Sequence, residues 1–341
     1  MAPSAPLSAR RLASALLALL LLIGCQGGSP LSGDPDVGSA ARAEQGPSGS
    51  PYVLVLGTAQ DAGLPQIGCT QACCLAAHQD PARRRLVASL LLADPRTGRR
   101  WLIDATPDLR EQVERARGHP PTRDESGPRP ALFDGIFLTH AHMGHYSGLV
   151  HLGREAYDAR RVPLHVTPSM GEFLGGHGPW ELLIRLGQVE LVPLRDGEPV
   201  VLAPDLEVIP FSVPHRPEYS DTVGFLIRGP ERSLVYIPDI DKWEHWDRPL
   251  EDLLSEVDIA LLDGSFHHDG EIPGRSMADI PHPFMSETML RLAPLPPAER
   301  AKVWFTHLNH TNPAADPDGA ESAAIRAAGL HVAADGLRFG L

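Results

Sequence analysis

The sequence is short of positive charge, of cysteine, and of any apolar run long enough to cross a bilayer. Its 341 residues carry 30 lysines and arginines against 43 aspartates and glutamates, a formal charge of −13. An acidic chain of this kind argues against nucleic acid as the main partner and leaves a small molecule as the expected one. The apolar run from Leu12 to Ile23 falls short of the roughly 20 residues that a spanning helix needs. Large apolar side chains are nearly missing from Gln26 to Ser50, so that stretch cannot bury enough surface to offset its ordering entropy. No internal repeat is visible, which argues against a solenoid or propeller.

What is present at the start is a leader. Arg10 and Arg11 precede the apolar run, and Gly24 and Cys25 follow it. A basic start, a short apolar stretch and a small-residue cut site describe a secretory signal peptide over 1–24. "LIGC" resembles a bacterial lipobox, which implies that Cys25 becomes the lipidated first residue of the mature chain. The expectation is a periplasm-facing protein of the bacterial cell envelope. A lipid on Cys25 holds it to the membrane, a flexible tether covers 25–50, and one domain covers 51–341.

Within that domain the apolar runs "YVLVLG", "LVASLLLAD", "RWLIDA", "GIFLTH", "PLHVT", "VELVPL", "LEVIPFSVPH", "TVGFLIRG", "SLVYIPD", "DIALLDG" and "AKVWFTHL" read as strands. Helical patterns lie between and after them, at "PDLREQVERAR", "WELLIRLG", "PLEDLLSEV", "SETMLRLA" and "GAESAAIRAAG". Pro107 and Asp108 mark one helix start, and Gly118 to Pro130 reads as a surface loop. Strands arriving in blocks fit stacked sheets covered by helices better than a doubly wound parallel sheet.

The chemistry sits where these strands end. His140, His142 and His145 follow "GIFL" as His-x-His-x-x-His. Alternate residues of a strand point the same way, so His140 and His142 reach one metal together, and His145, a turn later, faces a second. Neutral imidazole is the usual ligand for zinc and suits iron. Asp104, His215, Asp239 and His307 also end strands, so all of them are expected to converge on one edge of the sheets.

These residues resemble the metallo-β-lactamase superfamily. The resemblance implies an α/β fold, the αβ/βα four-layer sandwich. It implies that His140, His142 and His215 hold a first metal, that Asp239 bridges, and that His145 and His307 face a second metal. Asp239 and His145 are the expected catalytic pair. Asp104 matches the early aspartate that braces the histidine loop, and Asp263 stands behind the ligands. Asp241 and His310 lie near enough in sequence to Asp239 and His307 to be alternatives. "VLGTAQDAGLPQIGCTQACC", "LIDATPDLREQ", "LLDGSF" and "THLNHTNP" are similar to the family of coenzyme PQQ synthesis protein B. The first of these also resembles the phosphodiesterase of the carbon–phosphorus lyase pathway. That implies a metallohydrolase using metal-activated water on an ester or phosphodiester. The alternatives are a non-haem iron oxygenase and a non-catalytic metal- or small-molecule-binding lipoprotein.

Two departures matter. Gly144 stands where the superfamily has aspartate, which predicts a weak second metal or an open coordination position. Cys69, Cys73 and Cys74 crowd into six residues. Three thiols cannot all pair, and a bridge between neighbours is strained. The resemblance implies a structural zinc on them, with His78 the nearest fourth ligand in sequence and a distant histidine the alternative. His119, His151, His165, His177, His245 and His331 are expected to be surface or packing residues. His267 and His268 are candidates for lining the pocket.

Overall fold

The computed structural model describes residues 49–272, 274, 276–277 and 280–341. The signal peptide, Cys25 and all but the end of the tether lie outside the described residues. Among those described, no helix is long and apolar enough to cross a membrane.

Fourteen strands make two seven-stranded sheets among the described residues. The first contains β1 (Tyr52–Gly57), β2 (Ser89–Asp94), β3 (Arg99–Ile103), β4 (Gly135–Phe137), β5 (Val162–Val166), β6 (Val189–Pro193) and β14 (Arg338–Gly340), in the order β14-β1-β2-β3-β4-β5-β6. The second contains β7 (Val200–Ala203), β8 (Leu206–Ser212), β9 (Val223–Arg228), β10 (Ser233–Ile237), β11 (Ile259–Asp263), β12 (Val303–Thr306) and β13 (His331–Val332), in the order β13-β12-β11-β10-β9-β8-β7. Each sheet is antiparallel on one side and parallel on the other: β3 to β6 run parallel in the first, β10 to β13 in the second.

Strands covered on both faces read as unbroken apolar runs, and alternation then sorts their side chains. On β1, Val53 and Val55 point between the sheets, where they join Trp101, Phe137, Phe225, Tyr236 and Leu261. Leu54 and Leu56 point outward, under the first sheet's helices. Those helices are α2 (Leu109–Arg115), α3 (Met143–Tyr146), α4 (Pro168–Gly176) and α5 (Trp180–Arg185). The second sheet's outer face packs against α6 (Leu250–Glu256), α7 (Met285–Leu292) and α9 (Ala320–Ala327), with the short α8 (Pro297–Arg300) between them in sequence. Helix, sheet, sheet, helix is the four-layer α/β sandwich. The remaining helix, α1 (Ala72–Gln79), carries Cys73 and Cys74. One local expectation changes. The helix after Pro107 starts at Leu109, but Asp108 does not cap it; its carboxylate accepts from the Val87 N–H at 2.8 Å.

This topology positions the site. β3 runs parallel to β4, and β10 to β11 and β12; β1 shares β3's direction, and β8 shares β10's, each through an antiparallel neighbour. Their C-terminal ends therefore open on one edge of each sheet. Backbone hydrogen bonds tie these edges together: Val223 N to Thr139 O at 3.1 Å, and Leu308 N to Thr58 O at 2.8 Å.

Candidate metal centre

Two imidazole sets face a common carboxylate. His140 leaves the tip of β4, His215 follows β8, and Asp239 follows β10. Asp239 Oδ2 lies 3.2 Å from both His140 Nε2 and His215 Nε2, and 3.8 Å from His142 Nδ1. His142 Nδ1 is 2.9 Å from His140 Nε2 and 3.2 Å from His215 Nε2. Donors on one tetrahedral zinc at about 2.0–2.1 Å lie about 3.3 Å apart, so this set has the spacing a single ion imposes. Each imidazole is held from behind, which fixes the nitrogen it presents. Asp241 accepts from His215 Nδ1 at 3.0 Å, Glu218 from His142 Nε2 at 2.8 Å, and Thr139 Oγ1 meets His140 Nδ1 at 3.0 Å.

His145 and His307 form the second set. Both are fully buried. His145 Nδ1 donates to Asp104 at 2.8 Å, and His307 Nδ1 meets Ser265 Oγ at 3.0 Å. Their Nε2 atoms are buried without a hydrogen-bond partner. A buried polar atom without a partner costs about 1–3 kcal/mol, and two such nitrogens close together fit the donors of a metal ion. Asp104 also accepts from the Thr139 N–H at 2.9 Å, so one carboxylate sets both the loop and the ring. Asp104 and His307 have φ of 67° and 62°, a left-handed conformation that non-glycine residues rarely adopt and that clusters at functional sites.

Charge is distributed unevenly. Burial works against the imidazolium of His145, but the Asp104 carboxylate outweighs it and raises its pKa to about 9. Burial, with the His145 charge, holds His140 well below its ordinary value. Asp239 resists burial: the charges of His282 and His215 keep its carboxyl well below the usual range. The centre thus sets an ionised carboxylate among imidazole donors, a ligand set that suits zinc and iron alike.

The strand-tip residues come together here as the sequence places them, with Asp241 and His310 resolved into other roles. Asp263, the last residue of β11, accepts from the Ile240 and Ser265 N–H groups and from His282 Nδ1 at 2.8 Å. His282 is the residue that sequence reading passed over. Its Nδ1 also lies 3.1 Å from Asp239 Oδ1, and the two carboxylates raise it, against burial, to about 9. It sits in "IPHPF", after no strand, so the strand-tip pattern has no means of finding it. His267 and His268 stand outside the donor sets, with their N–H groups on Glu271.

The cysteine cluster is a separate site, and here the sequence reading needs correction. His78 is exposed on α1. The histidine that joins the three thiols is His310, the distant alternative, from the loop after β12: its Nδ1 lies 3.6, 3.8 and 3.4 Å from the sulfurs of Cys69, Cys73 and Cys74. A tetrahedral zinc with ordinary Zn–S and Zn–N bonds places S and N about 3.6 Å apart. No disulfide forms among these thiols. His310 is close in space because the β1 and β12 loops pair, a contact across the sheets that a spacing rule cannot show.

Known proteins are similar in sequence and in fold. A model of the beta-lactamase superfamily domain matches residues 99–308. Coenzyme PQQ synthesis protein B of Xanthomonas euvesicatoria is 29% identical, over 85% of this chain and 99% of its own length. The crystal structure of zinc-bound PqqB from Methylobacterium extorquens superposes with a TM-score of 0.70 at 26% identity, covering 85% of this chain and all of that one. A diphosphatase of the PhnP family matches with a TM-score of 0.58 at 26% identity, over 85% of this chain and 98% of its own. With its sandwich, its strand-edge histidines and a match over more than half its length, the chain belongs to the beta-lactamase superfamily and is similar to PqqB.

Proposed function

We propose that the chain is a metal-dependent hydrolase acting on a small ester or phosphodiester. The supporting observation is the pair of buried, unpartnered Nε2 atoms of His145 and His307 beside Asp239. They complement a His140–His142–His215 set already at the spacing of one ion. A metal held there lowers the pKa of bound water and polarises the bond to be cleaved. Asp239 lies between the two sets and balances their charge, while Asp104, Asp241, Glu218 and Ser265 hold the rings in register. The test is metal analysis of protein purified without added metal, with turnover of bis(p-nitrophenyl) phosphate and p-nitrophenyl esters. Zinc with turnover, lost in His142→Ala, is the expected result. Tight metal binding with no turnover of any ester overturns it.

A second reading is an iron-dependent oxygenase on the same donor sets, since imidazole and carboxylate ligands also suit iron. Iron in place of zinc, with oxygen uptake, identifies it. We further propose that Cys69, Cys73, Cys74 and His310 hold a structural zinc, and that Cys25 anchors the protein to the cell envelope facing the periplasm. Cys25→Ser is expected to move the protein from the membrane to the soluble fraction; an unchanged distribution rules the anchor out.

A further inference from the structure

The second metal position lacks a carboxylate of its own at residue 144, and a different part of the chain reaches into that gap. Gly144 lies in α3, and its φ is not in the left-handed region, so its backbone does not require glycine. Its surroundings do. A Cβ on Gly144 would lie 2.1 Å from Oδ1 of Asp61, 2.8 Å from its Cα and 3.0 Å from its Cγ. Asp61 fills the volume that a side chain at 144 would take.

Asp61 comes from the loop after β1, and that loop is anchored. Gln60 N donates to Leu308 O at 2.8 Å, Asn309 Nδ2 to Gln60 Oε1 at 2.7 Å, and Gly63 N to Gln60 O at 2.9 Å. The first two bonds fix Asp61 against the segment that carries His307. Asp61 Oδ1 lies 4.0 Å from His145 Nε2, and Asp61, His145 and His307 bring one donor atom each within 4.8 Å of one another. The Nε2 nitrogens of both histidines are buried and without a hydrogen-bond partner. A tetrahedral ion sets its donors about 3.3 Å apart, so binding one there draws the Asp61 carboxylate and the His145 ring together by about 0.7 Å. Among the described residues, the one basic group within 4.0 Å of Asp61 is His145.

We infer that Asp61 is a ligand of the second metal, completing with His145 and His307 the site that Gly144 leaves short, and that Gly144 is glycine to admit it. The second position is then not open on the side of residue 144. The inference rests on the metal-pair reading, and the experiment separates the two. Zinc-depleted protein is titrated with Zn2+ by calorimetry, and with Co2+ by visible absorption, for wild type, Asp61→Ala, Gly144→Ala and His307→Ala. The melting curve and the cysteine-site metal report on folding. Wild type is expected to bind two ions beyond the cysteine site. Asp61→Ala is expected to weaken the second by at least about tenfold and to change its Co2+ band, with the first ion unaffected. Gly144→Ala, which pushes the intact carboxylate aside, is expected to do the same. Should it fail to fold, Asp61→Ala decides alone. If Asp61→Ala keeps wild-type affinity and spectrum while His307→Ala loses the second ion, the metal pair stands and Asp61 is not its ligand. If wild type binds no second ion, both readings fall.

Discussion

Asp104 is the residue on which the histidine loop turns. It is fully buried at the end of β3, in a left-handed conformation, and accepts from Thr139 and His145 together. Asp104→Ala leaves a buried N–H and a buried imidazole without their acceptor. Breaking a buried pair of this kind costs about 3–5 kcal/mol, and loss of a ring-orienting carboxylate costs about 10–100-fold in metal affinity. Chemical denaturation and zinc titration of the variant check both; a variant as stable as wild type with an unchanged second-metal affinity contradicts this role. Residues at this scale were legible in proportion to their distance from a strand end. His140, His142, His215, Asp239 and His307 follow apolar runs directly. Asp61 follows β1 by four positions, past "TAQ", and nothing in the sequence links it to Gly144. His282 follows no strand. Gly144 was visible as a departure, but what fills the space beside it comes from a segment more than eighty residues earlier in the chain.

The elements that carry these residues meet beside the cysteine cluster. Cys69, Cys73 and Cys74 sit on the segment that follows Asp61's loop, and His310 sits three residues beyond His307. Leu64, Cys74 and Ala77 share one small buried cluster. A zinc there clips the β1 loop to the β12 loop across most of the domain's length, and closing so long a loop contributes a few kcal/mol to stability in the chain-entropy picture. His310→Ala and Cys69→Ser are therefore expected to lose one zinc and lower the melting temperature, while His78→Ala changes neither. Metal content and thermal unfolding of the three variants decide it: a zinc lost with His78 and kept without His310 reverses the assignment. Such a clip would also brace Asp61, so the two variants expected to lose zinc are also expected to weaken the second active-site ion. The thiol cluster reads from sequence as a candidate metal site, with His78 the nearest histidine in the chain and a distant one the alternative; which histidine meets the thiols depends on which strand-end loops meet.

At the scale of the whole molecule, the runs of buried strands announced stacked sheets. The helices that cover their outer faces followed from the blocks of pattern between them. The packing between the sheets adds a consequence of its own. His165, on β5, is stacked face to face on Phe137 at 4.2 Å, and Phe137 packs on Phe225 of the other sheet. Its Nδ1 is buried without a partner, and burial pushes its pKa down to about 4. In the unfolded chain a histidine titrates near 6.5. Between those values the unfolded state binds the extra proton, so stability is full above about pH 6.5 and falls as the pH drops toward 4. At pH 5 the loss from this one group is about 1–2 kcal/mol. His165→Leu keeps an apolar side chain against Phe137 and removes the titration. Urea midpoints of wild type and variant at pH 7.5 and pH 5.0 isolate the term, since His165 touches no metal donor and the site's own response to acid is common to both proteins. The variant is expected to lose less stability on acidification than wild type by that amount. Equal losses in the two proteins mean that the acid sensitivity of the sandwich lies elsewhere than between its sheets.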